Sequence, residues 1–97
     1  MKIQLLVEAE AELTETSDWY DQQAIGLGMD FLKEFDAAVC QLVVFPKLFQ
    51  ELLPGIRRCQ MNRFPCSVMY KVDADHVLIL AVAHHKRKPM YWSTRKP

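Results

Sequence analysis

Ninety-seven residues carrying twelve acids and twelve Lys or Arg make one small domain, 1–97, of zero formal net charge. Half the chain, 51%, is apolar or aromatic, enough for a single core. No run approaches a membrane span, and no leader is expected, because the short apolar run Ile3 to Val7 leads straight into acids. Cys40, Cys59 and Cys66 form no paired spacing, which fits free thiols in a reducing cytoplasm.

In chain order, Lys2 to Val7 reads as a short strand. Glu8 to about Gln23 reads as a helix whose first turns hold acids, where the helix dipole favours them. Ala9, Leu13, Thr16 and Tyr20 recur at spacings of three and four, so that stripe is expected to face a core. The acids between them read as a solvated face. Gly26 and Gly28 punctuate the chain before a second helix, about Met29 to Phe45, with Phe31, Phe35, Ala38, Val39, Leu42 and Phe45 on one side. Pro46 ends it.

The period changes after Pro54-Gly55. Ile56 to Phe64 reads as a strand stopped by Pro65. Cys66 to Val72 alternates. Asp73-Ala74-Asp75 is turn material. Val77 to Ala83 is apolar on both faces, as a covered central strand is. The expected fold is α+β: an N-terminal strand, a helical hairpin, then a three-stranded antiparallel meander, with both helices on one sheet face.

The charges are sorted along the chain. Residues 1–54 hold three lysines against ten acids, a balance of −7, and residues 55–97 hold nine cations against two acids, a balance of +7. A basic face would attract polyanions or an acidic protein.

The last fourteen residues concentrate this chemistry: His84, His85, Lys86, Arg87, Lys88, Tyr91, Trp92, Arg95 and Lys96 follow directly on an apolar strand. RNA cleavage needs a base, an acid and cations for the phosphate. His84 and His85 are candidates for proton transfer, Arg87 for holding charge, and Tyr91 for stacking or proton donation. Arg57, Arg58, Arg63, Lys86, Lys88 and Arg95 are the candidate phosphate- or target-binding cations. The plainer reading makes one histidine structural and the other a surface residue, and makes Trp92 a core anchor. Trp19-Tyr20 reads as helix packing. Cys59, Cys66, His84 and His85 match no zinc spacing, so no metal and no cofactor are expected.

Taken in order, the motifs resemble the RelE/ParE-type toxins of bacterial type II toxin–antitoxin systems, often labelled plasmid stabilisation proteins. The resemblance covers nearly the whole chain. It rests on Ala9-Glu10-Ala11-Glu12-Leu13 with Trp19-Tyr20, on Gly26-Leu27-Gly28 with Phe31, and on Ile56-Arg57-Arg58, Arg63-Phe64-Pro65 and Val68-Met69-Tyr70. It ends with Ile79 to His84, Arg87, Pro89, Tyr91-Trp92 and Arg95. The resemblance implies a cytoplasmic toxin neutralised by a cognate antitoxin, in a hetero-oligomer or as a homodimer. It implies one of two targets. RelE-like members cleave mRNA on the ribosome, whereas ParE-like members poison DNA gyrase without catalysis. A degenerate member would only bind its antitoxin. This chain sits between the two groups. Arg87 and Tyr91 fall in the RelE-like site region with a shortened spacing, Ser67 stands near an expected arginine, and Arg57, Arg58 and Arg63 loosely replace a lysine pair.

Overall fold

The computed structural model describes residues 1–96. The elements are β1 (Lys2–Leu5), α1 (Val7–Gln23), α2 (Leu27–Val44), β2 (Gln50–Leu53), β3 (Ile56–Gln60), β4 (Cys66–Asp73) and β5 (His76–His84). They form a five-stranded sheet in the order β1-β5-β4-β3-β2 with a helical hairpin packed on it. The α+β expectation holds, with one strand more than the sequence suggested. β2 turns the three-stranded meander into four, pairing with β3 through Gln50–Arg58 and Glu51–Arg57. Its four residues, Gln-Glu-Leu-Leu, carry no alternation, and an edge strand needs apolar support on one side only.

β1 runs parallel to β5, with Ile3 opposite Val77 and Leu5 opposite Ile79. β3 stops at Gln60, short of the expected Phe64, because Met61 N–H turns back to donate to Cys66 O at 2.9 Å. β5 lies between β1 and β4, with α1 over one face and the tail over the other, which explains its apolar character on both faces. It is interrupted by a bulge: Met69 faces Ala81 and Tyr70 faces Ile79, leaving Leu80 as the extra residue.

The hairpin depends on close helix contact. Gly26 takes a left-handed φ of 86° at the turn. Gly28 lets the helices touch: a Cβ there would sit 2.4 Å from the Ser17 backbone oxygen. Gly28 N–H donates to Asp21 Oδ1 at 2.7 Å, so α1 satisfies a free donor in the first turn of α2. Tyr20, Phe31 and Phe64 then cluster, Phe64 meeting both other rings edge to face and Tyr20 tilted on Phe31, with ring centroids 4.8–5.5 Å apart. Phe31, Phe35, Ala38, Val39 and Leu42 are buried as their spacing predicts, but Phe45 falls just past the helix end and is 57% exposed. Trp19 is likewise exposed, while its neighbour Tyr20 packs inside.

Strand register assigns the two sheet faces. Cys59, Val68 and Val82 are in line on the helix side, where Cys59 Sγ contacts Ala38 O at 3.9 Å. Ser67, Met69, Ala81 and Ala83 are on the other side, and all are buried. A tail of turns, residues 85–96, covers that second face and places Trp92 against it at 2% exposure. Among the described residues, no helix is long and apolar enough to cross a membrane.

One reading of α1 is corrected here. Glu12 is not on a solvated face: it is buried beside Ala9, Ser17 and Tyr20, and its carboxylate is fully engaged.

Candidate functional site

The tail leaves β5 at His84 and folds back over the second sheet face. It encloses a cleft of about 220 Å³, lined by Arg58, Ser67 and Met69 from the sheet and by His85, Arg87 and Lys88 from the tail, among others. Turn hydrogen bonds shape the tail: Arg87 N–H to His84 O at 3.0 Å, Ser93 N–H to Met90 O at 2.9 Å and Arg95 N–H to Trp92 O at 3.0 Å. Met90 sits at a φ of 61°, uncommon for a side chain of that size.

The two adjacent histidines diverge. His85 shares a 2.9 Å hydrogen bond between its Nε2 and Ser67 Oγ, on the tail side of the sheet. His84 borders the same cleft and also a second groove with Thr16, Trp19 and Lys86. Its Nδ1 accepts the Lys86 backbone N–H at 3.0 Å, so that nitrogen carries no proton. Partial burial, then the neighbouring Lys86 and His85, hold the His84 imidazole below its ordinary pKa, in the neutral form.

The candidate cations separate in the same way. Arg57 and Arg58 are consecutive on β3 and therefore point to opposite faces. Arg57 donates to Lys47 O at 3.2 Å and Phe49 O at 2.8 Å, holding the α2–β2 connection. Arg58 lines the tail cleft and donates to Gln50 Oε1 at 3.1 Å. Arg63 lies 3.9 Å from Asp30 at the start of α2. Lys86 belongs to the second groove, whereas Arg87 and Lys88 border the cleft. Of the ten side chains singled out by sequence, the fold gathers Arg58, His84, His85, Arg87, Lys88 and Tyr91 around one opening.

Arg95 and Tyr91 are turned inward, onto Glu12. Arg95 Nη1 donates to Glu12 Oε1 at 2.7 Å and Nη2 to Oε2 at 3.0 Å, a two-pronged carboxylate pair. Tyr91 O–H donates to Glu12 Oε2. Arg87 Nη1 stands 3.9 Å from the same oxygen, and its guanidinium carbon lies 4.0 Å over the Tyr91 ring.

The backbone of β5 explains why a carboxylate stands there. β1 ends at Leu5, and its last contact is Leu6 N–H to Ile79 O at 3.0 Å. Beyond that point β5 has no strand neighbour on that side. Glu12 Oε1 accepts the Val82 N–H at 3.1 Å, and Arg95 Nη1 donates to Leu80 O at 2.9 Å. The pair therefore replaces a missing strand residue, and every buried side-chain polar atom there is satisfied. Burial pushes the Glu12 carboxyl up, but hydrogen bonds from Arg95, Tyr91 and Val82 N–H outweigh it and hold the group below the ordinary carboxylate value. Burial, together with donation to Glu12, pushes the Tyr91 phenol far up and keeps it protonated.

Glu12 and Ser67 are the site residues that the sequence reading did not select. For Glu12 a signal existed: it falls three residues after Ala9 and four before Thr16, on the apolar stripe itself. Cys59 and Cys66 are buried, and burial pushes the Cys66 thiol up to about 11, so it is no nucleophile at neutral pH.

Comparison with known proteins agrees with this architecture. A solved structure titled "Chromosomal ParDE TA system from P. aeruginosa" superposes with a TM-score of 0.64 at 21% identity, over 87% of this chain and 95% of that one. Among curated proteins there was no match. The family described as "ParE toxin of type II toxin-antitoxin system, parDE" matches residues 3–89, nearly the whole chain. The protein therefore belongs to the ParE toxin family of type II toxin–antitoxin systems.

Proposed function

We propose that this toxin acts by binding rather than by cutting RNA, that DNA gyrase is its target, and that a cognate antitoxin neutralises it by covering the tail and cleft. One observation carries the reading: Glu12 occupies the Tyr91 hydroxyl and the Arg95 guanidinium, two groups that an RNA-cleaving site would need free. The state of the histidines supports it further: both border the cleft, but His84 Nδ1 is engaged by the Lys86 N–H and His85 Nε2 by Ser67 Oγ. What the tail offers outward is a rim of cations, Arg87 and Lys88, beside an apolar floor containing Met69 and Trp92. That mixture suits a protein surface. The family match and the toxin–antitoxin title of the structural relative support the antitoxin partner.

A second reading, ribosome-dependent mRNA cleavage, keeps one point in its favour: His85, Arg58 and Arg87 line one cleft. The two are separated by adding purified protein to a gyrase supercoiling assay and to a cell-free translation extract. The binding reading expects blocked supercoiling with intact mRNA. Cut mRNA with normal supercoiling would replace it with the second. Silence in both assays, with no slowing of growth on overexpression, would identify a copy that only binds its antitoxin.

A further inference from the structure

We propose that Glu12 is the positioning residue of the toxin's working surface, holding the tail in the one arrangement that presents Arg87 and Lys88 to a target. The proposal rests on the reading of the tail and cleft as the surface that meets the target. Residues 85–96 form neither helix nor strand, and after the His85 N–H to Pro65 O bond at 2.8 Å their backbone hydrogen bonds are local turns. Such turns shape a segment but do not fix where it lies on the sheet. Besides the His85–Ser67 hydrogen bond at its start and the Arg95–Leu80 O hydrogen bond near its end, two side-chain attachments do that. One is Trp92, buried against the sheet, a greasy contact that tolerates sliding. The other is directional: Tyr91, Arg95 and, at 3.9 Å, Arg87 all converge on the carboxylate of Glu12.

Glu12 can serve as a reference point because it is itself fixed at both ends. Its backbone is inside α1, and its Oε1 is tied to the Val82 N–H of the central sheet. The tail is thereby registered against two rigid elements at once. The chain of placement runs outward from there. Glu12 sets the Tyr91 ring, and the Tyr91 ring sets the Arg87 guanidinium stacked 4.0 Å above it, which is still 56% exposed. A stacked, half-exposed arginine held by a buried anchor is pre-organised for recognition, because its rotamers are restricted before a partner arrives. Glu12 touches no target in this scheme. It acts through Tyr91 and Arg87.

The test compares the full-length wild type with Glu12→Gln, Arg87→Ala and a core variant, Leu42→Ala, as a control for destabilisation. Glu12→Gln keeps the shape and an acceptor for Val82 but removes the charge. Amide hydrogen exchange over residues 85–96 reads tail placement, and growth arrest on induction reads activity. The expectation is faster exchange in the tail of Glu12→Gln, with β4 and β5 still protected. The inducer needed to halve growth should rise about tenfold, the factor carried by one hydrogen bond to a charged group. Arg87→Ala should lose activity with its tail still protected. Leu42→Ala should keep activity in proportion to its folded fraction. Tail exchange unchanged in Glu12→Gln would overturn the proposal. So would a released tail with undiminished growth arrest, or a loss no greater than that of Leu42→Ala at matched melting temperature. A wild type that never slows growth would instead remove the toxin reading on which the proposal stands.

Discussion

At the scale of single residues, the carboxylate of Glu12 has the most to lose. It is 11% exposed and answers three donors at short range. Removing its charge leaves the largely buried Arg95 without a counterion, which costs about 2–3 kcal/mol at neutral pH. Urea denaturation of Glu12→Gln should show that loss as a lower midpoint with an unchanged slope. Because the folded carboxyl lies below its unfolded value, its stabilisation is complete above the unfolded pKa. It is lost as the pH falls through the folded one, so the wild type and Glu12→Gln should converge in acid. His84 offers a second measurement. Its ring is held neutral by burial and by Lys86 and His85, so its NMR titration midpoint should fall below that of an ordinary imidazole. The place of Glu12 on the apolar stripe is the one trace the sequence carries of its role, and the neighbouring acids of the same helix mask it. Its partners are 79 and 83 residues away, and local spacing carries no trace of them.

At the scale of elements, the helical hairpin and the two central strands were legible because each repeats an apolar period over eight or more residues. β2 was not, since four residues at a sheet edge repeat nothing. The parallel pairing of β1 with β5 was equally hidden: the pattern of a strand does not name its neighbour. The hairpin makes a sharp prediction. Gly28→Ala drives a methyl into the Ser17 carbonyl oxygen, which is backbone and cannot swing aside. Overpacking of that kind should cost about 2 kcal/mol, seen as a lowered thermal midpoint. Tyr70 tests the join between α2 and β2. Its hydroxyl donates to Pro46 O at 2.7 Å, and burial pushes its pKa up to about 12. Tyr70→Phe should destabilise by about 1 kcal/mol and release the connection, read as faster amide exchange in residues 47–49.

Across the whole molecule, the opposed charges of the two halves were visible in the sequence, yet their placement was not. Adjacent residues on a strand face apart, so Arg57 and Arg58 serve different surfaces. Pairing with Asp30 keeps Arg63 beside the acidic hairpin. What survives as a basic rim is Arg58, Arg87 and Lys88 around the cleft. Steering by such a rim acts on encounter more than on residence. The association rate of an acidic antitoxin should therefore fall several-fold from low to high ionic strength, with its dissociation rate nearly constant, as stopped-flow mixing would show.

The order in which the parts become available has its own consequence. β1 and α1 are made first, yet β1 needs β5 for its pairing, and Glu12 waits for Arg95 near the end of the chain. A half-made polypeptide thus holds the hairpin without the sheet edge that supports it. The tail takes its place only once Arg95 has been added, so its register depends on a contact that spans 83 residues of the chain.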